Sequence, residues 1–154
     1  MTWSLAISNG DISYGQNGLN TVTGSDKLVQ DLSCTILEPL GTDYSDPNFG
    51  SVIEGGVDAD GIVYPGYIGA ANNAAMQGLI ASEIQRICQN YQIDQIQRNQ
   101  NDLSSYGVST LSAGEALLNV TSVQVNQVDT MAYVTVDLTT GTGSVTLAQG
   151  LAGN

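Results

Sequence analysis

Residues 2–23 show an apolar period of two: Trp3, Leu5 and Ile7 alternate with Ser4 and Ala6, and Ile12 and Tyr14 alternate again. That is the pattern of half-buried strands. Asn9-Gly10 and Asn17-Gly18 interrupt these runs. Both are dipeptides that tolerate the positive φ angles of a tight hairpin. Leu19 to Thr23 supplies a third strand, so the pattern predicts a small β-meander over 1–23. Gly24 ends it, and the period then becomes helical. Leu28, Val29, Leu32 and Ile36 fall on one face. Ser25 is the expected N-cap and Asp26 sits at the positive end of the helix dipole. Pro39 stops the helix by forcing Glu38 out of the α region, which predicts a helix over 25–37.

Residues 39–67 read as a loop punctuated by three prolines and by glycines from Gly41 to Gly66. A loop this long in a compact domain is usually functional or an interaction segment. A main helix is predicted over 68–98. Asn72 or Asn73 would cap it, and Leu79, Ile80, Ile84, Ile87 and Tyr91 form its apolar stripe. Gln92 to Gln100 is polar apart from Ile93 and Ile96, and 99–114 reads as loop. The last third, 115–148, is β. Leu118 and Val120 are in one phase and Val123 and Val125 in the other, which predicts a bulge between them. Turns are expected at 126–130 and 140–143, with Ala132, Val134, Val136 and Leu138 alternating cleanly between them. The layout is α+β in a single domain over 1–154: an N-terminal β-meander, two main helices joined by a long Pro/Gly-rich loop, and a C-terminal antiparallel β-sheet.

Fifteen acids face three bases, Lys27, Arg86 and Arg98, giving a net charge of −12 with no histidine. A nucleic-acid partner is not expected, because that affinity comes largely from Lys and Arg neutralising phosphates. The acidic field reads first as solubility and second as attraction for a basic protein partner. No apolar run approaches the roughly 18–20 residues of a membrane span, and no membrane contact is expected. The start of the chain lacks the basic and apolar regions of a signal peptide. Only 12% of residues are charged, which suits a surface partly covered in an assembly. Cys34 and Cys88 have no metal or redox spacing and read as buried, reduced thiols on helices.

Without histidine there is no Ser-His or Cys-His pair, and no phosphate-binding glycine loop is present. Glu38, Asp43, Asp46 and Glu54 are the acids from which a glycoside-hydrolase pair would have to come, with carboxyls roughly 5–10 Å apart. The plainer reading is that they form turns. Asp58-Ala59-Asp60-Gly61 resembles the start of a calcium loop, but Ile62 and Gly69 stand where ligands are required. No metal or cofactor is expected. Tyr44, Phe49, Tyr64 and Tyr67 populate the long loop and must pack on the core or on a partner.

Several segments together resemble a known family. They are Gly10-Asp11-Ile12, Leu19 to Gly24, Leu28-Val29-Gln30-Asp31-Leu32, and the loop Pro39-Leu40-Gly41-Thr42-Asp43 with Asp46-Pro47-Asn48-Phe49-Gly50-Ser51. The family is the sheath initiators, the small baseplate-wedge subunits of contractile phage tails, with relatives in contractile bacteriocins and in the type VI secretion baseplate. The loop residues Pro39, Gly41, Asp46, Pro47, Phe49 and Gly50 look like the family's Pro-Gly-Glu and Pro-x-x-Gly-Ser elements. A departure falls where the family carries Glu-Pro-Arg. Here the position reads Glu115, Ala116, Leu117, and leucine cannot make the bidentate bonds of arginine. Residues 92–114 look like an insertion.

The resemblance implies a virion building block and not an enzyme, assembled in the host cytoplasm into the tail baseplate. Its implied partners are other baseplate wedge proteins and the tail sheath protein, with the tail tube a further candidate. Glu115, Ala116 and Leu117 are the implied partner contact. Sheath strands would add to an open edge of the C-terminal sheet, for which Val134, Thr135, Val136, Val145 and Leu147 are the candidate docking edge. The alternatives are another tail or head-completion adaptor and a tail-associated glycan hydrolase.

Overall fold

The computed structural model describes residues 2–67, 74–129 and 131–152. The N-terminal strands are two residues each: Ser4–Leu5 (β1), Ile7–Ser8 (β2), Asp11–Ile12 (β3), Tyr14–Gly15 (β4), Gly18–Leu19 (β5) and Thr21–Val22 (β6). Asn9 and Gly10 take φ of 54° and 79° and turn β2 back on β3. β4 pairs with β5 through a turn at Gln16-Asn17, one residue before the expected dipeptide, because Gly15 faces Gly18. β6 returns to β1. The three ladders meet at a closed ring of backbone bonds. Ala6 N–H donates to Asn20 O at 2.9 Å, Asn20 N–H to Ser13 O at 3.0 Å, and Ser13 N–H to Ala6 O at 2.7 Å. That ring satisfies the groups a continuous sheet would have paired.

Helix α1 spans Gly24–Leu37. Thr23 takes the cap position without a side-chain bond, so Ser25 lies inside the first turn and is not the cap. Leu28, Leu32 and Ile36 recur at every fourth residue and are fully buried. The chain leaves the helix at Glu38 in an extended conformation, as the following proline requires.

The expected loop over 39–67 contains a small sheet in the order β7-β8-β9: Pro39–Leu40 (β7), Ser51–Val57 (β8) and Val63–Tyr64 (β9). β7 runs parallel to β8 and β9 antiparallel to it. Gly55-Gly56 masks the strand in the sequence, yet the close crossing needs glycine. A Cβ at Gly56, whose φ is 129°, would lie 2.2 Å from Leu40 O.

Helix α2 spans Ala74–Tyr106. The expected start at 68–73, with Asn72 and Asn73, lies outside the described residues. The helix passes its expected end at 98 because nothing breaks it until Gly107. That glycine takes φ 71° and donates its N–H to Leu103 O at 3.1 Å, a glycine stop.

The C-terminal sheet has the order β10-β11-β12: Leu117–Val128 (β10), Met131–Thr140 (β11) and Gly143–Ala152 (β12). The bulge expected from the phase slip is present between Val120 and Ser122, and a second lies between Leu117 and Asn119. β12 extends past the expected limit at 148. One face of the sheet presents Ala132, Val134, Val136, Leu138, Leu147 and Leu151 to α1 and to Ile80, Ile84 and Ile87 of α2. The other face is polar, as one-sided antiparallel sheets are. There Asp137 accepts from Ser122 Oγ and Thr146 Oγ1, both at 2.8 Å, tying three strands together. Those two bonds hold its carboxyl below the usual range. Leu32→Ala, at the centre of α1, is expected to cost about 2–5 kcal/mol through lost transfer energy and a residual cavity. Urea unfolding should show a lower midpoint at unchanged slope. No described helix is long and apolar enough to cross a membrane.

Candidate functional site

Glu115 lies in the turn before β10 and is 1% exposed. Its Oε2 accepts the Ser112 N–H at 3.0 Å and Ser112 Oγ at 2.6 Å, and its Oε1 accepts Thr2 Oγ1. Lys27 Nζ stands 4.0 Å from Oε1 and pairs with Asp31, whose Oδ2 also accepts Tyr91 OH at 2.9 Å. Burial raises the Glu115 pKa, but the Ser112, Thr2 and Lys27 contacts outweigh it and hold the carboxyl below its ordinary value. Around it, Gln95 Nε2 donates to Glu115 O at 2.7 Å and the Leu117 N–H donates to Gln95 Oε1 at 3.0 Å. Leu117 is 5% exposed. The expected surface contact at Glu115 and Leu117 is therefore corrected. Both turn inward, joining the N-terminal segment, α1, α2 and β10, because a buried carboxylate needs these partners. Ala116 is half-buried and lines a groove with Ile93, Ile96 and Leu118. The sequence reading missed Lys27 and Gln95. Only the Lys27–Asp31 spacing of four was a signal.

The family-like loop is also held internally. Gly41 N–H donates to Phe49 O at 3.2 Å, Phe49 N–H to Asp46 O at 3.0 Å, and Ser51 N–H to Glu38 O at 2.8 Å. Arg86 donates to both oxygens of Glu83, at 2.8 and 2.7 Å, and to Gly50 O at 3.1 Å. Glu83 Oε1 also accepts the Val52 N–H at 2.9 Å, so one ion pair, with Glu83 buried and Arg86 half-buried, bolts the loop and β8 to α2. Pro39 and Gly41 sit at the β7 crossing, while Asp46 and Pro47 are exposed. Of the four aromatic rings, Tyr67 packs against the core, Phe49 and Tyr64 are half-buried, and Tyr44 stands in solvent.

Of the loop acids, Glu38, Asp43, Asp46 and Asp58 are engaged in local side-chain bonds of the turns. Glu38 accepts Thr42 Oγ1 at 2.5 Å. Asp43 accepts Ser45 Oγ at 2.7 Å and the Ser45 N–H at 2.8 Å, which lowers its pKa. Asp46 accepts the Asn48 N–H at 3.1 Å. Glu54 is half-buried on β8, and burial pushes its pKa up. Asp58 accepts the N–H groups of Asp60 and Ile62 and closes the β8–β9 turn. Among the described residues no cluster of His, Cys, Asp or Glu could hold a metal ion. Cys88 is buried and Cys34 half-buried, and neither is in a disulfide. Burial pushes the Cys88 thiol up to about 11. Burial first, then the Asp31 and Glu38 charges, raise that of Cys34.

The candidate docking edge divides. Val134, Thr135 and Val136 lie on β11, which is paired on both sides. They cannot receive another strand, and that part of the expectation is corrected. Val145 and Leu147 lie on β12, which is an edge. A two-residue hairpin closes on a pair that exchanges both backbone bonds. Counting from the closing pair Thr140 and Gly143, the odd-numbered residues of β12 bond β11, while Ser144, Thr146, Ala148 and Gly150 turn their backbone outward. The Gln149 side chain reaches Gly150 O at 2.9 Å, in keeping with that direction. No group among the described residues bonds the outward N–H groups.

β10, the opposite edge, is protected: it bears two bulges, and Gln92 Nε2 covers Leu117 O at 3.1 Å and Leu118 O at 2.9 Å. β12 has no bulge, no charge and no proline over Gly143–Ala152. These are the devices that normally guard an edge. A groove of about 600 Å3 runs beside β12. It is walled by Val29, Cys34 and Leu37 of α1 and by Ile7 of β2. Val145 and Gln149 from the core face and Thr146 from the outer face all line it. Two faces of one strand line a common groove only at an open edge.

Compared with protein-family models, with curated proteins and with solved structures, the chain matches none.

Proposed function

We propose that this protein is a structural subunit of a contractile tail baseplate that initiates sheath assembly by receiving a strand at the open edge of β12. The observation that carries the reading is the unguarded ten-residue strand β12 with its outward N–H groups unpaired among the described residues. An edge of this kind is a template for another chain. The resemblance of residues 10–51 to the sheath initiators names the setting: a virion tail, with the sheath protein on β12 and other wedge proteins on the remaining surface. The charge of −12 keeps nucleic acid away. With Glu115 and Leu117 engaged internally, the partner contact in this reading lies at the sheet edge and at the groove at Ala116 rather than at the family's Glu-Pro-Arg position.

Two proline variants test it. The Ala148 N–H points outward, so Ala148→Pro removes no ladder bond and should leave the thermal midpoint close to that of the parent. The Leu147 N–H bonds β11 and its side chain is buried, so Leu147→Pro should cost about 3 kcal/mol or more. In a reconstituted baseplate, folded Ala148→Pro should fail to nucleate sheath. Normal sheath on that variant would refute strand addition at β12.

A further inference from the structure

We infer that the groove beside β12 selects its strand by side-chain pattern, taking an extended segment with apolar residues at every second position and a lysine or arginine at the end nearest Asp26. This rests on strand addition at β12 and concerns which strand is accepted. A strand laid along Ser144–Gly150 would continue the pleat of the sheet, so its alternate side chains would face opposite ways. Those on the core side would meet Val29, Cys34 and Leu37 and, across the groove, Ile7. Leu37 is 44% exposed and Ile7 46% exposed, an apolar surface that nothing among the described residues covers. Those on the other side would extend a row of Ser144, Thr146, Ala148 and Gly150, small residues on a face that is already polar. A strand shifted by one residue would place its apolar set in water. Asp26 is the only charged side chain lining the groove among the described residues. On a chain of net charge −12, a basic terminal residue there is attracted and an acidic one repelled. The occupant is extended and not helical, because only a strand satisfies a row of outward N–H and C=O groups.

The probe is a capped peptide of about nine residues, the length that spans β12. Leucine or valine alternates with threonine, and one terminal residue is lysine. Its control has the same composition with the apolar residues consecutive. Binding is followed by fluorescence anisotropy and by protection of Cys34 from maleimide; Cys88 is 1% exposed and shielded. The patterned peptide should bind at least about tenfold more tightly than the control and slow labelling of Cys34. Leu37→Ser, at an exposed position that should leave folding intact, should narrow the preference below about threefold. If both peptides bind the parent equally and both are lost in Ala148→Pro, strand addition stands and selection by pattern is wrong. If neither binds, or Ala148→Pro binds as the parent does, strand addition itself is wrong and the selection falls with it.

Discussion

Glu115→Ala is expected to lower stability by about 3 kcal/mol, near the lower end for breaking a buried ion pair, because Lys27 keeps Asp31 as a partner. The cost arises from what is left behind. Ser112 loses the acceptor of its N–H and its hydroxyl, Thr2 loses its acceptor, and Lys27 stays 7% exposed with one carboxylate fewer. Glu115→Gln keeps an acceptor oxygen and should cost less. The pH dependence separates charge from shape. The folded pKa of Glu115 lies below the ordinary 4.5, so its contribution is complete above that value and is lost as pH falls through the folded pKa. The stability of Glu115→Gln should therefore fall less steeply with acid below about 4.5 than that of the parent. Urea midpoints across that range measure it, and equal slopes for the two proteins would show that the carboxylate is not the group that matters.

Gly56→Val is the second large effect expected, about 3 kcal/mol or more. The new Cβ would meet Leu40 O at 2.2 Å and Leu40 N at 2.6 Å, both backbone atoms that no rotamer can move. β7 must then part from β8, which should speed hydrogen exchange at Val52 and Ile53 next to the crossing. Gly61→Ala is the control. Gly61 has φ 82° with nothing within 4 Å of a Cβ, so only the left-handed backbone strain of about 1–2 kcal/mol applies. Equal losses for the two variants would mean that the β7–β8 approach is not tight.

Local signals were legible where the chain interacts with its near neighbours. The 3.6-residue period of Leu28, Leu32 and Ile36 placed α1 to within a residue, since one apolar face is enough to define such a helix. Asn9-Gly10 marked the first hairpin, and the phase slip after Val120 marked a bulge. The polar end of α2 past residue 98 reads as loop because helix propensity there is weak. The helix persists because nothing breaks it until Gly107, and its last turns are tied down where Asp102 accepts the Thr110 N–H at 3.2 Å. β8 was hidden by Gly55 and Gly56, which read as breakers, although the nearby Leu40 backbone demands glycine at position 56.

The alternation of Val134 and Val136 established that the segment is a strand with one buried face. Whether that strand lies inside the sheet or at its edge depends on which strands flank it, and side-chain periodicity is the same in both places. Pairing on both sides removed Val134, Thr135 and Val136 from the candidate edge and left β12 open. Glu115 entered the sequence reading only through the resemblance, as the surviving residue of a family motif, and nothing local shows whether a carboxylate faces solvent or a buried lysine. Lys27 is 88 residues earlier (115 − 27) and Thr2 is 113 earlier. Periodicity, turn residues and breakers thus carried the α+β layout by themselves. The inward turn of Glu115, the open edge of β12 and the groove that α1 and the first hairpin build beside it exist only once the chain is folded, because each depends on groups that chain distance separates and packing brings together.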